Sequence, residues 1–306
     1  MEKHTSVLLK EAIDYLNIRE DGTYIDATLG YAGHSGEILK QLNKGTLIAF
    51  DKDIDAVNYS RTKLSKIGDN FKIYNTGFIN IKEVMEDKKV DGVLFDLGVS
   101  SPEIDEDNRG FSYMKNSKLD MRMDQNSKLT AYEIVNTYTK EALTNIFRKY
   151  GEEKHALKIA EKIEKQRNIK KIETTYELVD IIDKCYPYKE KRLTHPAKKV
   201  FQALRIEVNN ELNEFEKALK DSLELLNIGG RVVVITFHSL EDRICKNIFK
   251  QASEVNEVVK GMPDIPLNLL PNFKLITKKP IIPRDEEIRR NSRSKSAKMR
   301  VIERIK

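Results

Sequence analysis

The sequence predicts an α/β fold in which a parallel sheet, covered by helices on both faces, is interrupted by a helical insertion. Two observations carry this expectation. Short apolar, β-branched runs alternate with amphipathic stretches, the pattern of strands buried on both faces and of their crossover helices. Between the fourth and fifth runs, close to a hundred residues have helical period and dense charge, which is too long for a crossover and enough for a domain.

Each element follows in order. Thr23–Leu29 reads as the first strand, and a glycine-bearing turn leads from it into a helix over Ser35–Leu42. Thr46–Phe50 is the second strand, ending at Asp51, with an amphipathic stretch from Ala56 to Leu64 behind it. Phe71–Tyr74 and Val90–Leu97 are the third and fourth strands. The insertion then carries helical stretches near Ala131–Tyr138, Lys140–Lys149, Glu152–Gln166 and Thr175–Cys185. A long helix, Ala197–Leu226, is expected to return to the sheet, with Gly229-Gly230 ending it and launching the strand Arg231–Phe237. Phe273–Thr277 and Lys298–Ile305 read as two closing strands. The expected domains are residues 1–104 and 200–306 for the two parts of the sheet domain and 105–199 for the insertion.

Composition bounds the function. Hydrophobic residues are 40% of the 306, enough for a sizeable core. The longest aliphatic run, Val232–Ile235, falls far short of the roughly 20 residues of a membrane helix. The start, with Glu2, Lys3 and His4, lacks the apolar stretch of a signal peptide. A cytoplasmic protein with no membrane partner is expected. Cys185 and Cys245 build no disulfide framework, and His4, His34, His155, His195 and His238 are scattered, so no metal site is expected. The net charge of +6 divides unevenly: −4 over residues 1–104, +5 over 105–199, −2 over 200–277 and +7 over 278–306. Basic regions of this kind serve polyanions or simply solvate a surface.

The first strand runs into Asp26-Ala27-Thr28-Leu29-Gly30-Tyr31-Ala32-Gly33-His34-Ser35-Gly36. Such a turn brings backbone close to a nucleotide and aims a helix N-terminus at it. Its spacing is G-x-x-G-x-x-G, which departs from the dinucleotide pattern. Asp51, at the end of the second strand, suits the two ribose hydroxyls, or is a solvated strand-end acid. Phe78 stacks on an adenine or is a core aromatic. Asp96 ends the fourth strand at the same sheet edge. An acid at the first strand end and the wider glycine spacing favour S-adenosylmethionine over a nicotinamide cofactor.

Further blocks follow: FDLGVSSP, RGFSY, LDMRMD, YGEEKHA, HPAKKVFQALRIEVNNEL, ITFHSLEDR and SRSKSAKMRVIER, after HTSVLLKEAI and DATLGYAGHS. On these blocks, in this order and over essentially the whole chain, the sequence resembles the RsmH (MraW) family of bacterial ribosomal RNA methyltransferases. The resemblance implies a Rossmann-like, seven-stranded class I methyltransferase sheet with a helical insertion. It also implies S-adenosylmethionine as cofactor and N4 of a cytidine in the decoding region of 16S rRNA as acceptor, within the small ribosomal subunit. Carried over residue by residue, its cofactor site is Ala32, Gly33, His34, Asp51, Phe78, Asp96 and Glu103. The family usually has glutamine where this chain has Glu103, and a carboxylate cannot donate as an amide can.

For the acceptor, Asp96 with the Ser100-Ser101-Pro102 turn is expected to face the N4 hydrogens, unless the serines only shape a tight loop. Ser239-Leu240-Glu241-Asp242 fits a capping box, and His238 or Arg243 either serves the substrate or merely starts that helix. His195-Pro196 reads as a helix entry. Asp120 and Arg122 pair, or Arg122 meets a phosphate. His4 lies near the cofactor or in an exposed terminus. Lys158, Lys162, Lys165, Arg167, Lys170 and Lys171 cluster on the insertion as a platform for RNA flanking a flipped base. The alternatives are a methyltransferase with a DNA, protein or small-molecule acceptor, and a non-catalytic RNA-binding or ribosome-assembly factor with a relict cofactor site.

Overall fold

The computed structural model describes residues 6–86, 88–98, 109–191, 195–255, 265–266 and 269–306. His4, Ser100, Ser101, Pro102 and Glu103 lie outside the described residues. By its internal contacts the chain divides into two compact units, Met1–Gly98 with Leu212–Lys306, and Val99–Glu211.

The first unit is the sheet. Its strands are β1 (Thr23–Asp26), β2 (Thr46–Asp51), β3 (Phe71–Asn75), β4 (Val90–Asp96), β5 (Leu226–Thr236), β6 (Phe273–Leu275) and β7 (Lys298–Arg304). They lie in the order β3-β2-β1-β4-β5-β7-β6. β1 to β5 are parallel, and β7 runs antiparallel to both β5 and β6. The order reverses between β1 and β4, so a crevice opens at their carboxyl ends, where open α/β sheets bind ligands.

Strand residues alternate between two cores, as a pleat requires. On one face Ile25, Ile48, Phe50, Phe95, Val232 and Val234 pack with Phe215, Leu219 and Phe249. On the other, Tyr24, Leu47, Ala49, Leu94, Val233 and Val301 pack with Ala12, Ile38 and Val57. The helices of the first part are α1 (Leu9–Leu16), α2 (Gly33–Gln41), α3 (Ile54–Leu64) and α4 (Ile81–Met85).

The second unit holds α5 (Ala131–Thr137), α6 (Lys140–Gly151), α7 (Ala156–Ile169), α8 (Thr175–Asp183) and α9 (Ala197–Asn209). Thr130 with Glu133, and Thr174 with Glu177, close capping boxes that start α5 and α8. Asp120 and Arg122 form a bidentate pair at 2.7 and 2.9 Å, which is the structural alternative of the two. Burial works against the Asp120 carboxylate, but the Arg122 hydrogen bonds outweigh it and hold its pKa below the ordinary value.

Three expectations about elements need correction. The long helix Ala197–Leu226 is two helices, α9 and α10 (Glu211–Leu225), because Asn210 adopts a left-handed conformation with φ +52°. Asn209 turns its amide to the loop instead, donating to Met121 O and accepting from Met123 N–H, both at 2.8 Å. Gly229-Gly230 does not separate helix from strand: β5 starts directly after α10, at Leu226, and the pair lies where its register against β4 shifts. The capping box of the next helix, α11 (Ser239–Ser253), sits one residue earlier than expected, with His238 as the cap and Glu241 as its partner. Asp242 is drawn off by Arg300 of β7, whose Nε donates to it at 2.7 Å. A last short helix, α12 (Asp285–Arg290), precedes β7.

Candidate cofactor and acceptor site

The turn after β1 is wound tightly. Gly30 (φ +46°) and Ala32 (φ +54°) are both left-handed, the second at a cost that a non-glycine residue bears only when its surroundings hold it. Ala32 is fully buried and caps α2. Gly33 opens the helix against Ser6, and a Cβ there would run into the Ser6 hydroxyl. The turn is tied down from within: Ser35 Oγ donates to Asp26 Oδ2 at 2.6 Å, and Thr28 N–H to Asp26 Oδ1 at 3.1 Å. Thr28 Oγ1 in turn accepts from Asp96 N–H at 2.7 Å, joining β1 to β4.

Asp51 stands at the end of β2. Its Oδ2 accepts from Gly30 N–H at 2.8 Å and its Oδ1 from Asp53 N–H at 2.9 Å. A carboxylate has about four lone-pair sites, so both oxygens can still accept from a ribose. Burial raises its pKa to about 6 despite those two N–H groups, with Asp53 and Asp26 adding repulsion. Phe78 begins a short turn after β3, half-buried, with its edge on Phe95 at 5.7 Å between ring centroids.

Asp96 is the centre of the charge. Its Oδ1 is buried without a hydrogen bond, and its Oδ2 lies 3.4 Å from Nδ1 of the buried His34. Burial raises its pKa well above the ordinary carboxylate value, and the negative charges of Asp26, Glu241 and Glu287 push the same way. Asp26 is raised too, by burial against its hydrogen bonds. Thus Ala32, Gly33, His34, Asp51, Phe78 and Asp96 share one end of the sheet unit. Sequence reasoning missed Thr28 and Ser35, which lie inside the turn it quoted, and Glu287. The last accepts from Leu8 N–H at 2.8 Å across a sequence separation of 279 residues, so no local pattern announces it.

These residues suit S-adenosylmethionine. The orphaned Asp96 oxygen and its acidic neighbours favour a cation such as a sulfonium, whereas a pyrophosphate at this turn would meet Asp26 and Asp96. Asp51, at the end of β2, keeps lone pairs beyond its two backbone partners, which suits a hydroxyl-bearing ligand.

The profile of the MraW methylase family matches residues 1–305. The chain is 50% identical to the Ribosomal RNA small subunit methyltransferase H of Exiguobacterium sibiricum, over 100% of this chain and 99% of that protein. Among solved structures, SMU.1697c of Streptococcus mutans in complex with SAH aligns over 98% of this chain and 99% of its own, at 14% identity and a TM-score of 0.43. An rRNA methylase from Streptococcus thermophilus aligns over 97% and 94%, at 11% identity and a TM-score of 0.43. On the match over nearly its whole length, the chain belongs to the MraW methylase family of S-adenosylmethionine-dependent methyltransferases.

Proposed function

We propose that this protein methylates N4 of a cytidine in the decoding region of 16S rRNA, acting in the cytoplasm on the small ribosomal subunit. The observation that carries the reading is Asp96 Oδ1, a buried acceptor without a hydrogen bond at the end of β4. The substrate class follows from the 50% identical relative, which is named for small-subunit ribosomal RNA.

The chemistry asks for such an acceptor. Cytosine N4 is a weak nucleophile because its lone pair is delocalised into the ring. A carboxylate hydrogen-bonded to the amino group localises that pair and receives the proton afterwards. Burial and acidic neighbours increase the proton affinity of Asp96, so it is a stronger base than a surface carboxylate. S-adenosylmethionine, when bound, supplies an electrophilic methyl group. The protein's own part is to hold it with Asp51, Phe78 and the Ala32-Gly33-His34 turn, and to keep Asp96 against the amino group, since alignment supplies much of the rate in a direct displacement. Ser100 and Ser101 are proposed to support the same amino group, and Glu103 to face the cofactor. The insertion expected from the sequence, residues 105–199 within the unit Val99–Glu211, is proposed to bind the RNA that flanks the flipped base.

Nucleoside mass spectrometry of 16S rRNA from a strain lacking the protein tests the reading. The N4-methyl mark of the decoding region is expected to vanish, to return with the wild type, and to stay absent with Asp96→Ala. Retention of the mark in the deletion strain overturns the assignment. In purified form, Asp96→Asn is expected to lose about 100-fold or more in turnover while still folding.

A further inference from the structure

His238 is a residue whose position exceeds its structural duty. It stands two residues past the end of β5, and Asp96, opposite Ile235, closes the neighbouring strand β4. The two chain ends stay together after the sheet ends: Leu97 N–H donates to Ile235 O at 3.0 Å, and a Cβ on Gly98 would touch the Phe237 ring at 3.4 Å. As the cap of α11, His238 uses Nδ1, which accepts from Glu241 N–H at 3.4 Å. In the neutral ring this leaves the proton on Nε2. That atom is buried and makes no hydrogen bond. It lies 3.1 Å from Glu241 Oε1, off the line a hydrogen bond needs, because the same ring is held at Nδ1. Glu241 is committed elsewhere: its Oε2 accepts from Phe237 N–H at 2.7 Å and His238 N–H at 3.2 Å.

Neighbouring strand ends therefore carry one orphaned acceptor, Asp96 Oδ1, and one orphaned donor, His238 Nε2–H. Acceptor beside donor is the complement of donor beside acceptor. Cytosine presents that pair, its amino N4 next to ring N3, and uracil presents the reverse, O4 next to N3–H. Enzymes that work on an extruded base read this edge. We propose that His238 is a specificity-determining residue, whose Nε2–H donates to N3 of the target cytosine while Asp96 accepts from its amino group. The inference rests on the cytosine-N4 reading above and assigns the ring contact that reading leaves open. A uracil would place O4 against a carboxylate and N–H against N–H, so both contacts turn repulsive. Adenine shares the cytosine order, so His238 separates cytosine from uracil and not from adenine. A donor at N3 draws electron density from the amino group, so its contribution lies in binding, not in the methyl-transfer step.

The test uses the full-length protein, S-adenosylmethionine and small subunits from a strain lacking the enzyme. His238→Ser keeps a good helix cap and removes the donor. It is expected to raise KM for the subunit about 10- to 100-fold with kcat within about threefold, the cost of an unpaired buried polar edge. Cofactor affinity by calorimetry and the melting temperature should be unchanged. Subunits rebuilt with 3-deazacytidine at the target lack the N3 acceptor. The wild type should lose the same factor on them, and His238→Ser should lose no more. This arm needs only the wild type, so poor folding of the variant does not shelter the proposal. An undiminished KM in folded His238→Ser overturns it, as does full wild-type activity on the 3-deaza target or losses that multiply. If the wild type makes no N4-methylcytidine at all, the underlying reading fails and the proposal with it.

Discussion

Three acids at the crevice share a residue type and differ in role because their surroundings differ. Asp26 spends its oxygens on Ser35 and Thr28 and builds the turn. Asp51 holds two backbone N–H groups and keeps lone pairs to spare. Asp96 Oδ1 has no hydrogen bond, although its backbone is pinned by Thr28. The Asp51 pKa of about 6 makes a prediction with a definite sign. Above it the carboxylate is ionised and able to accept from the proposed ribose hydroxyls; below it protons compete with the ligand. Affinity for S-adenosylmethionine should therefore be full near pH 7 and fall about tenfold by pH 5. The raised Asp96 pKa works in the same direction. Calorimetry across that range checks this, and Asp51→Asn should bind more weakly with a shallower pH dependence. An affinity that rises on acidification contradicts the assignment. Asp51 and Asp96 were legible in the sequence because each ends an apolar strand. The division of labour was not, since it depends on the left-handed Gly30 and Ala32 that bring Thr28 and Ser35 around.

Elements were legible where one physical signal dominated. Parallel strands buried on both faces are apolar runs, and the helical stretches read from Ala131 and from Thr175 are the helices α5 and α8. Breaks were harder, because they turn on tertiary competition for a few side chains. Helical period runs through Asn209-Asn210 uninterrupted, yet Asn209 is recruited by Met121 and Met123. Arg205 and Glu211 then clamp across the break with two hydrogen bonds of 2.8 Å. The break therefore needs a residue tolerant of φ +52° at position 210. Asn210→Ala should lower stability by about 1–2 kcal/mol and Asn210→Gly by less, read from urea denaturation. If alanine were as stable as asparagine there, the break would be incidental to the fold. The shift of the capping box from Ser239 to His238 has the same origin. Arg300, far along the chain, claims Asp242, and the buried Glu241 takes its place.

At the scale of the molecule, the uneven charge meets a fold that has already spent part of it. In the helical unit Lys158 and Lys162 donate to Cys185 O and Lys184 O at 2.9 and 3.0 Å, satisfying carbonyls left open past the end of α8. Arg167 does the same for Val135 O at 2.9 Å, and Lys170 pairs with Glu177 at 2.8 Å. Lys165 and Lys171 have no such partner among the described residues; both line one groove with Ile169, Ile172 and Ile181. The six cations that look alike in the sequence thus divide into four with hydrogen-bond or ion-pair partners and two without one among the described residues. The division predicts different losses. Lys165→Ala with Lys171→Ala should weaken binding to small subunits at unchanged stability, and should flatten the slope of log affinity against log salt by about 1.5 for two phosphates released. Lys158→Ala with Lys162→Ala should instead lower the melting temperature, by the loss of two hydrogen bonds at about 1 kcal/mol each. Filter binding over a salt series and thermal melting of both pairs separate the two. An unchanged slope in the Lys165 and Lys171 pair would mean that this face of the insertion does not meet RNA.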